Sequence, residues 1–359
     1  MTKDRTAALG AVLAVCVLLT LMVIDLFIPP TVAILTTLFV LAPLIACAVV
    51  PPRGTALIGA LTFVAALASG AWNDTLGTAQ HNVRLLTVAL TSAAAVAIAA
   101  VRVYREHRFE QVSAIAEAAQ RAILPLLPSL AGPVVAASRY QSAARGAMVG
   151  GDLYDCYHSD AHIRFIVGDV RGKGITGVEQ AARVIRAFRQ SAALHATLGE
   201  VADEMNDYLC GFFGDEEFAT AVLVDATKAG EFSLLSAGHP PPELVRRDGA
   251  AELVDLPAGF PLGISTEASG AYVSVMLSWT PGDRLLMYTD GLSEARDRGG
   301  SFLDVPSLVP LLRRGTPEQA LEAVVKAVER HVPSGRLEDD LAVVLLEHVN
   351  EATVFSERA

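Results

Sequence analysis

The stretch His162-Ile-Arg-Phe-Ile-Val-Gly-Asp-Val-Arg-Gly-Lys-Gly174 contains the most informative pattern in this chain. It predicts an apolar strand that ends on a carboxylate, Asp169, and runs into a Gly-rich turn. The stretch Arg284-Leu-Leu-Met-Tyr-Thr-Asp-Gly291 repeats this arrangement with Asp290. Strand ends hold carboxylates at fixed separations, and glycine lets the backbone approach an ion closely. The two stretches therefore indicate a β-rich domain with a functional site at its strand ends.

Two more acidic clusters border apolar runs, Gly150-Gly-Asp-Leu-Tyr-Asp155 and Glu338-Asp-Asp340. A single Asp-Gly pair after a strand usually only makes a turn, but four clusters together favour a metal site. Carboxylate oxygens suit Mg²⁺ or Mn²⁺ better than zinc. The four cysteines show no CxxC spacing, so we expect neither a zinc site nor a disulfide framework.

A nucleotide-binding P-loop is the competing interpretation of the segment from Gly168 to Gly174. A P-loop has four residues between its first Gly and the Gly-Lys pair, followed by Ser or Thr. Here three residues separate Gly168 from Gly172, and Gly174 follows the lysine. The spacing therefore argues against a P-loop.

The region after Pro128 alternates short β-rich runs with helical stretches. Strands are predicted at 134–139, 162–167, 220–225, 231–236, 272–277, 284–288 and 341–346, and helices at 178–195, 198–212, 305–313 and 317–331. Grouped helices among antiparallel-looking strands predict an α+β layered domain rather than a doubly wound parallel one.

The first 103 residues contain most of the apolar excess behind a mean hydropathy of +0.42. Four apolar stretches lie at 7–28, 31–50, 55–72 and 83–103. Each has about the ~20 residues that a helix needs to cross a bilayer. We therefore predict an all-α, four-helix transmembrane bundle over 1–103.

Basic residues set the expected orientation, because cytoplasmic loops retain Lys and Arg. They precede the first stretch, separate the second from the third and follow the fourth: Lys3, Arg5, Arg53, Arg102, Arg105 and Arg108. We predict a multi-pass protein of the cell (inner or plasma) membrane with both termini and the catalytic domain in the cytoplasm. No charged residue lies deep in a stretch, so a plain anchor is favoured over a membrane sensor.

Residues 104–127 are predicted to form a linker whose helix ends before Pro125. Its apolar residues follow the 3-4 spacing of a coiled coil: Phe109, Val112, Ala116, Ala119 and Ile123. Two heptads leave two alternatives open, a homodimer through this helix or a helix packed on its own domain. The formal net charge of −11 argues against a nucleic-acid partner.

The motifs occur in an order that resembles a known family. They are Val149-Gly-Gly-Asp-Leu-Tyr-Asp155, Val167-Gly-Asp-Val-Arg-Gly-Lys-Gly174, Phe218-Ala-Thr-Ala221, Ser236-Ala-Gly-His-Pro-Pro241, Pro261-Leu-Gly263, Tyr288-Thr-Asp-Gly291 and Glu338-Asp-Asp-Leu341. Together they resemble the SpoIIE-type (stage II sporulation) branch of the PPM metal-dependent serine/threonine protein phosphatases. The resemblance covers about 119–346, which places a phosphatase domain at 128–348 and a tail at 349–359.

The resemblance implies a four-layer α-β-β-α sandwich, two antiparallel sheets flanked by helices, with two Mn²⁺ or Mg²⁺ ions at one edge. Residue by residue, it implies Asp152, Asp169, Asp290 and Asp339 as metal ligands that act through a metal-activated water. The backbone carbonyl of Val170 is a further implied ligand. The implied supporting residues are Asp155 and Asp340, and the implied contacts to a phosphoprotein are Arg171 and Lys173.

The resemblance also implies a function, hydrolysis of phosphoserine or phosphothreonine in a partner-switching circuit of sigma-factor regulation. The implied substrate is a STAS-type anti-sigma-factor antagonist. The alternative is a catalytically silent membrane scaffold or receiver with a phosphatase-like domain. His239 is either a general acid or a structural histidine, and Ala342 stands where the family often has threonine.

Overall fold

The computed structural model describes residues 2–28, 33–143, 150–265, 267, 270–333 and 337–350. Val149 of the first motif and residues 351–359 of the predicted tail lie outside this part of the chain. The chain divides into two compact units, Met1–Glu110 and Gln111–Ala359.

Helices build the first unit: α1 (Thr2–Phe27), a 3₁₀ turn (Leu35–Val40) that leads into α2 (Leu41–Val49), α3 (Pro52–Trp72) and α4 (Ala79–Ile123). In the described residues, α1, α3 and α4 are long and apolar enough to cross a membrane. The second predicted span is shorter, because the helical segment covers only Leu35–Val49. Pro43, in the first turn of α2, cannot donate to the carbonyl of residue 39, which fits the tighter turn that precedes this helix.

The two ends of this unit differ in chemistry. At one end, Gly10 of α1 packs against Val49, and Arg102 of α4 donates to the carbonyl of Cys47 in the last turn of α2 and to that of Val50, which follows this helix. The opposite end contains Asp25, whose carboxylate is buried even though it lies close to the end of α1. The basic residues and this acidic residue therefore occupy opposite ends of the helices.

The predicted linker helix is continuous with the last apolar helix, because α4 runs to Ile123 and ends before Pro125 as expected. Within the second unit, Ala116 packs against Val178, and Ala119 and Ile123 join this contact. Val112 remains 46% exposed. The carboxyl-terminal half of the predicted coiled-coil positions thus packs on its own domain.

Eleven strands are described in the second unit: β1 (Leu130–Ala131), β2 (Val134–Gln141), β3 (Leu153–His158), β4 (Ile163–Val170), β5 (Ala219–Asp225), β6 (Glu231–Ala237), β7 (Glu243–Val245), β8 (Ala251–Leu253), β9 (Val275–Ser278), β10 (Arg284–Tyr288) and β11 (Leu341–His348). They form one sheet of order β1-β2-β11-β10-β7-β8 and a second of order β3-β4-β5-β6-β9. Every described strand pairing is antiparallel. The α+β prediction is confirmed.

Helices cover the outer faces of both sheets: α5 (Ile175–Leu194), α6 (Leu198–Cys210), α7 (Asp290–Ser293), α8 (Val309–Leu312) and α9 (Pro317–His331). Alternate residues of the strands point to opposite faces. Phe165 and Val167 of β4 therefore enter the core between the sheets, whereas Ile166 packs under α5 and α6. A third core joins the other sheet to α8 and α9, which completes the four-layer α-β-β-α sandwich.

Local chemistry explains most helix boundaries. Capping boxes, Thr197 with Glu200 and Thr316 with Gln319, begin α6 and α9. The helix predicted at 305–313 is instead a 3₁₀ turn (Val305–Leu308) followed by α8, and each piece has a proline in its first turn. Proline lacks the N–H that a continuous α-helix would need there.

Candidate metal centre

Three carboxylates come from three neighbouring strand ends. Asp152 directly precedes β3, Asp169 is the penultimate residue of β4, and Asp290 begins α7 two residues after β10. Leu153 pairs with Gly168, so Asp152 lies beside Asp169. Asp169 has the same parity as Phe165 and Val167 and therefore points between the sheets. The fold thus gathers these carboxylates at one edge of the sandwich.

Carboxylate oxygens of Asp152, Asp169 and Asp290 all lie within 4.8 Å of one another. Burial and the Asp169 charge raise the pKa of Asp152 well above its usual range. Burial, Asp290 and Asp339 raise the pKa of Asp169 to about 7, and burial with Asp339 raises that of Asp290. Such mutual repulsion is relieved by a bound cation, so the donor set fits hard divalent ions.

Thr289 fixes the most buried of the three carboxylates. Its hydroxyl donates to Oδ2 of Asp152 at 2.6 Å and accepts the backbone N–H of Ala342 at 3.0 Å. Its own N–H donates to the carbonyl of Ala342. The side chain of Ala342 is fully buried between the sheets. Asp152 is therefore oriented by Thr289 and the backbone of residue 342, with no hydroxyl on the side chain of Ala342.

Asp339 lies at the margin of this cluster. Both of its carboxylate oxygens accept hydrogen bonds from Nζ of Lys173 at 2.9 Å. Its charge still raises the pKa of Asp169 and Asp290, so the carboxylate lies within electrostatic reach of both. The described structure therefore brings three of the four predicted carboxylates together and pairs the fourth with a lysine.

Gly151 leaves room beside the carbonyl of Val170, the predicted backbone ligand. A Cβ at position 151 would lie 2.6 Å from this oxygen, 2.3 Å from Cγ2 of Val170 and 3.1 Å from Oδ1 of Asp169. No side chain fits in this space without moving the carbonyl. The backbone at this point fits the predicted role of the Val170 oxygen.

Gly151→Ala is expected to weaken Mn²⁺ binding by about tenfold, because the added methyl group displaces the Val170 carbonyl. Calorimetric Mn²⁺ titration measures this. Gly214→Ala is the matched control, since the nearest atom to its Cβ would be 3.8 Å away. Unchanged Mn²⁺ affinity in Gly151→Ala would exclude Val170 from the metal site.

The two predicted supporting aspartates have different environments. Asp155 is buried and paired with Arg189 of α5, with Nε at 2.6 Å from Oδ2. It is absent from the described carboxylate cluster. Asp340 accepts the N–H groups of Ala143 and Gly150, both at 2.7 Å. Asp340 therefore holds Ala143 and Gly150, and Gly150 lies two residues before Asp152.

The predicted phosphoprotein contacts and His239 also have defined partners. Arg171 is half exposed and donates to the carbonyl of Glu216 at 3.0 Å. His239 is buried, its Nε2 donates to the carbonyl of Tyr288 at 3.0 Å, and its Nδ1 accepts from Thr220. Burial lowers the pKa of His239 to about 4. A neutral imidazole with both nitrogens bonded favours the structural role.

Two residues of the site were not predicted from the sequence. Gln120 of α4 is buried; its Nε2 donates to the carbonyl of Asp152 at 3.2 Å, and its Oε1 accepts from the hydroxyl of Tyr140. That hydroxyl is also hydrogen-bonded to Asp340. A glutamine and a tyrosine thus connect the helix, the Asp152 backbone and Asp340.

Mn²⁺ affinity is expected to fall with decreasing pH below about 7. Protonation of Asp169, whose pKa is raised to about 7, competes with the metal. Each pH unit below this pKa should weaken the apparent Mn²⁺ affinity by about tenfold, and above this pKa the affinity should no longer change with pH. Calorimetric Mn²⁺ titration between pH 5.5 and about 8 measures this slope. An affinity that is independent of pH over this range would contradict the assignment of Asp169.

The second unit is similar to solved phosphatase domains. The chain matches the SiaA-PP2C domain of Pseudomonas aeruginosa with a TM-score of 0.55 and 19% identity, over 69% of this chain and 99% of that one. It matches the RsbU and RsbW domains of Rv1364c from Mycobacterium tuberculosis with a TM-score of 0.53 and 24% identity, over 61% of each chain. The second unit therefore has the PP2C phosphatase fold.

The chain belongs to the SpoIIE family, because the family model described as stage II sporulation protein E (SpoIIE) matches residues 159–349, more than half of its length. It is also 28% identical over 152 residues to the phosphoserine phosphatase RsbP of Bacillus subtilis strain 168. That match covers 41% of this chain and 37% of RsbP. The chain thus spans little more than a third of that relative.

Proposed function

We propose that this chain is a membrane-anchored, metal-dependent phosphatase that hydrolyses phosphoserine or phosphothreonine on a protein. The observation that carries the proposal is the convergence of the Asp152, Asp169 and Asp290 carboxylates within 4.8 Å on a PP2C-type fold. The proposed cofactors are two Mn²⁺ or Mg²⁺ ions held by these residues, Asp339 and the Val170 carbonyl. The predicted domain limits, 1–103, 104–127 and 128–348, belong to this proposal.

When bound, two divalent ions supply a water of lowered pKa and neutralise phosphate oxygens. The protein holds the ligands in place: Thr289 orients Asp152, and Asp340 accepts the N–H of Gly150, two residues before Asp152. Arg171 and Lys173, on the turn after β4, are the proposed contacts for the phosphoprotein. His239 is neutral near pH 7 and links the turn after β6 to Tyr288 of β10 rather than transferring a proton.

The proposed substrate is a phosphorylated STAS-type anti-sigma-factor antagonist in a partner-switching circuit. Similarity to RsbP, a named phosphoserine phosphatase, supports the choice of a phosphoserine protein. A catalytically silent scaffold is the alternative, and the three convergent carboxylates argue against it.

The proposed location is the cell membrane, with both termini and the catalytic domain in the cytoplasm and the lipid bilayer as a partner. Three candidate spans and the clustering of Arg53 and Arg102 at one end of the helices support it. A homodimer through α4 is part of the proposal, with exposed Val112 as the test position. Val112→Asp should convert a dimer to a monomer in a sedimentation measurement.

The test of function is an assay of the full chain in nanodiscs on a phosphoserine STAS protein and on a generic phosphate ester. Release of phosphate should require Mn²⁺ or Mg²⁺ and stop on chelation. Turnover of the ester alone would support the proposed phosphatase activity and contradict the proposed substrate. No metal-dependent turnover of either compound would favour the silent scaffold.

A further inference from the structure

A buried carboxylate organises the end of the helices that lies opposite Arg53 and Arg102. Asp25 of α1 is 1% exposed. Its oxygens accept hydrogen bonds from the backbone N–H of Leu35 (2.6 Å), Oγ of Ser69 (2.6 Å), Nε1 of Trp72 (3.1 Å) and Nδ2 of Asn73 (3.1 Å). Asp25 is thus saturated by neutral donors from two other helical segments.

His81, in the first turn of α4, contrasts with this satisfied carboxylate. It is 1% exposed, and neither ring nitrogen has a hydrogen-bond partner among the described residues. The ring lies on Gly70 of α3, where a Cβ would come within 2.3 Å of Cε1 and 2.5 Å of Nε2. Burying a polar ring without partners costs free energy, and a bound ligand that hydrogen-bonds to the ring would remove this cost.

Two other buried polar atoms close to His81 in the sequence also lack partners in the described part of the chain. They are Nη1 of Arg84 and Oγ1 of Thr75. Arg84 follows His81 by three positions and lies on the same face of α4. The N–H of Thr75 bonds to the carbonyl of Gly70, the residue on which the His81 ring lies.

The charges of these groups, and whether they donate or accept hydrogen bonds, indicate which kind of ligand they can bind. A cation needs acceptors, but Asp25 already accepts four hydrogen bonds. A guanidinium, an imidazole and a hydroxyl at the amino-terminal end of a helix match the oxygens of an anion. Asp25 forms no described ion pair with Arg84, so the positive charge of Arg84 remains available to a ligand.

We propose that His81, Arg84 and Thr75 form an oxyanion-binding site at the end of the first unit where α4 begins. The ligand has a carboxylate or phosphate group and is either a small solute or the headgroup of an anionic lipid. The site uses residues of the first unit only, and it does not depend on the proposed phosphatase activity. It gives the first unit a binding function beyond that of an anchor.

Trp72 provides a local probe, because its indole N–H is bonded to Asp25 and the chain has only one other tryptophan, Trp279. The full chain carrying Trp279→Phe is placed in phosphatidylcholine nanodiscs with a chelator. Trp72 emission is then followed during titration with succinate or inorganic phosphate at constant ionic strength. A saturable change is expected, weakened by about tenfold or more in His81→Phe and in Arg84→Gln.

The control is His107→Phe, an exposed histidine of the same helix, which should leave the titration unchanged. In a second arm, nanodiscs containing phosphatidylglycerol replace phosphatidylcholine. If the ligand is a lipid headgroup, Trp72 emission differs between the two lipids, and Arg84→Gln removes the difference. Absence of a response in both arms, or a response retained in Arg84→Gln, overturns the proposal even if His81→Phe does not fold.

Discussion

Replacing Asp290 with asparagine is expected to abolish Mn²⁺-dependent hydrolysis of a phosphoserine protein. Asp290 contributes one of the three carboxylates that lie within 4.8 Å. Asparagine keeps the shape but removes the negative charge that binds a divalent ion. A loss of about a thousandfold in turnover, equivalent to ~4 kcal/mol, is expected at fixed Mn²⁺.

The matched control for this variant is Asp255→Asn, because Asp255 is exposed and far along the sequence from all three carboxylates. It should retain wild-type turnover. The Mn²⁺-induced rise in the thermal midpoint should disappear in Asp290→Asn and persist in the control. Turnover within about twofold of wild type in Asp290→Asn would show that the metal assignment is wrong.

Asp169→Asn is expected to stabilise the metal-free protein while it eliminates activity. The pKa of Asp169 rises from 3.8 to about 7 in the folded state through burial, Asp290 and Asp339. Between these values the folded state binds a proton that the unfolded state has lost, so stability decreases as the pH rises toward 7. Asparagine is neutral at every pH and avoids this loss.

The expected gain at pH 8 is on the order of 2 kcal/mol, and it should nearly vanish at about pH 4, where Asp169 is protonated in the folded state. Thermal unfolding of the full chain in detergent with a chelator measures both values. Mn²⁺ should raise the midpoint of the wild type at pH 8 far more than that of Asp169→Asn. A metal-free variant that is less stable than wild type at pH 8 would contradict the proposed repulsion.

The sequence predicts β4, which contains Asp169, and β10, which ends two residues before Asp290, because both strands are apolar along most of their length and a glycine follows each within three residues. It does not identify β3 as a strand. Asp155, implied by the resemblance as a supporting residue, lies within β3, and its partner, Arg189, is 34 residues away. A polar residue in a buried strand gives no local signal when its partner is distant in sequence.

The same limit applies to Gln120 and Asp25. Gln120 occupies a polar-looking helix position, yet its partners lie 32 and 20 residues away. The hydrogen bonds of Asp25 span 10 to 48 residues, so a charge near a helix end gave no sign of its burial. Motif resemblance, in contrast, identified the three clustered carboxylates, because each is adjacent to its own glycine or strand end.

The pairing of Lys173 with Asp339 has a consequence for the order in which ions load. Asp152, Asp169 and Asp290 have no ion pair with a basic residue in the described chain, so an incoming cation there only relieves repulsion. At Asp339 an ion would have to displace the ammonium group of Lys173, so binding there would exchange one cation for another. The three-carboxylate position would therefore fill first, and binding through Asp339 would be more sensitive to competing salt.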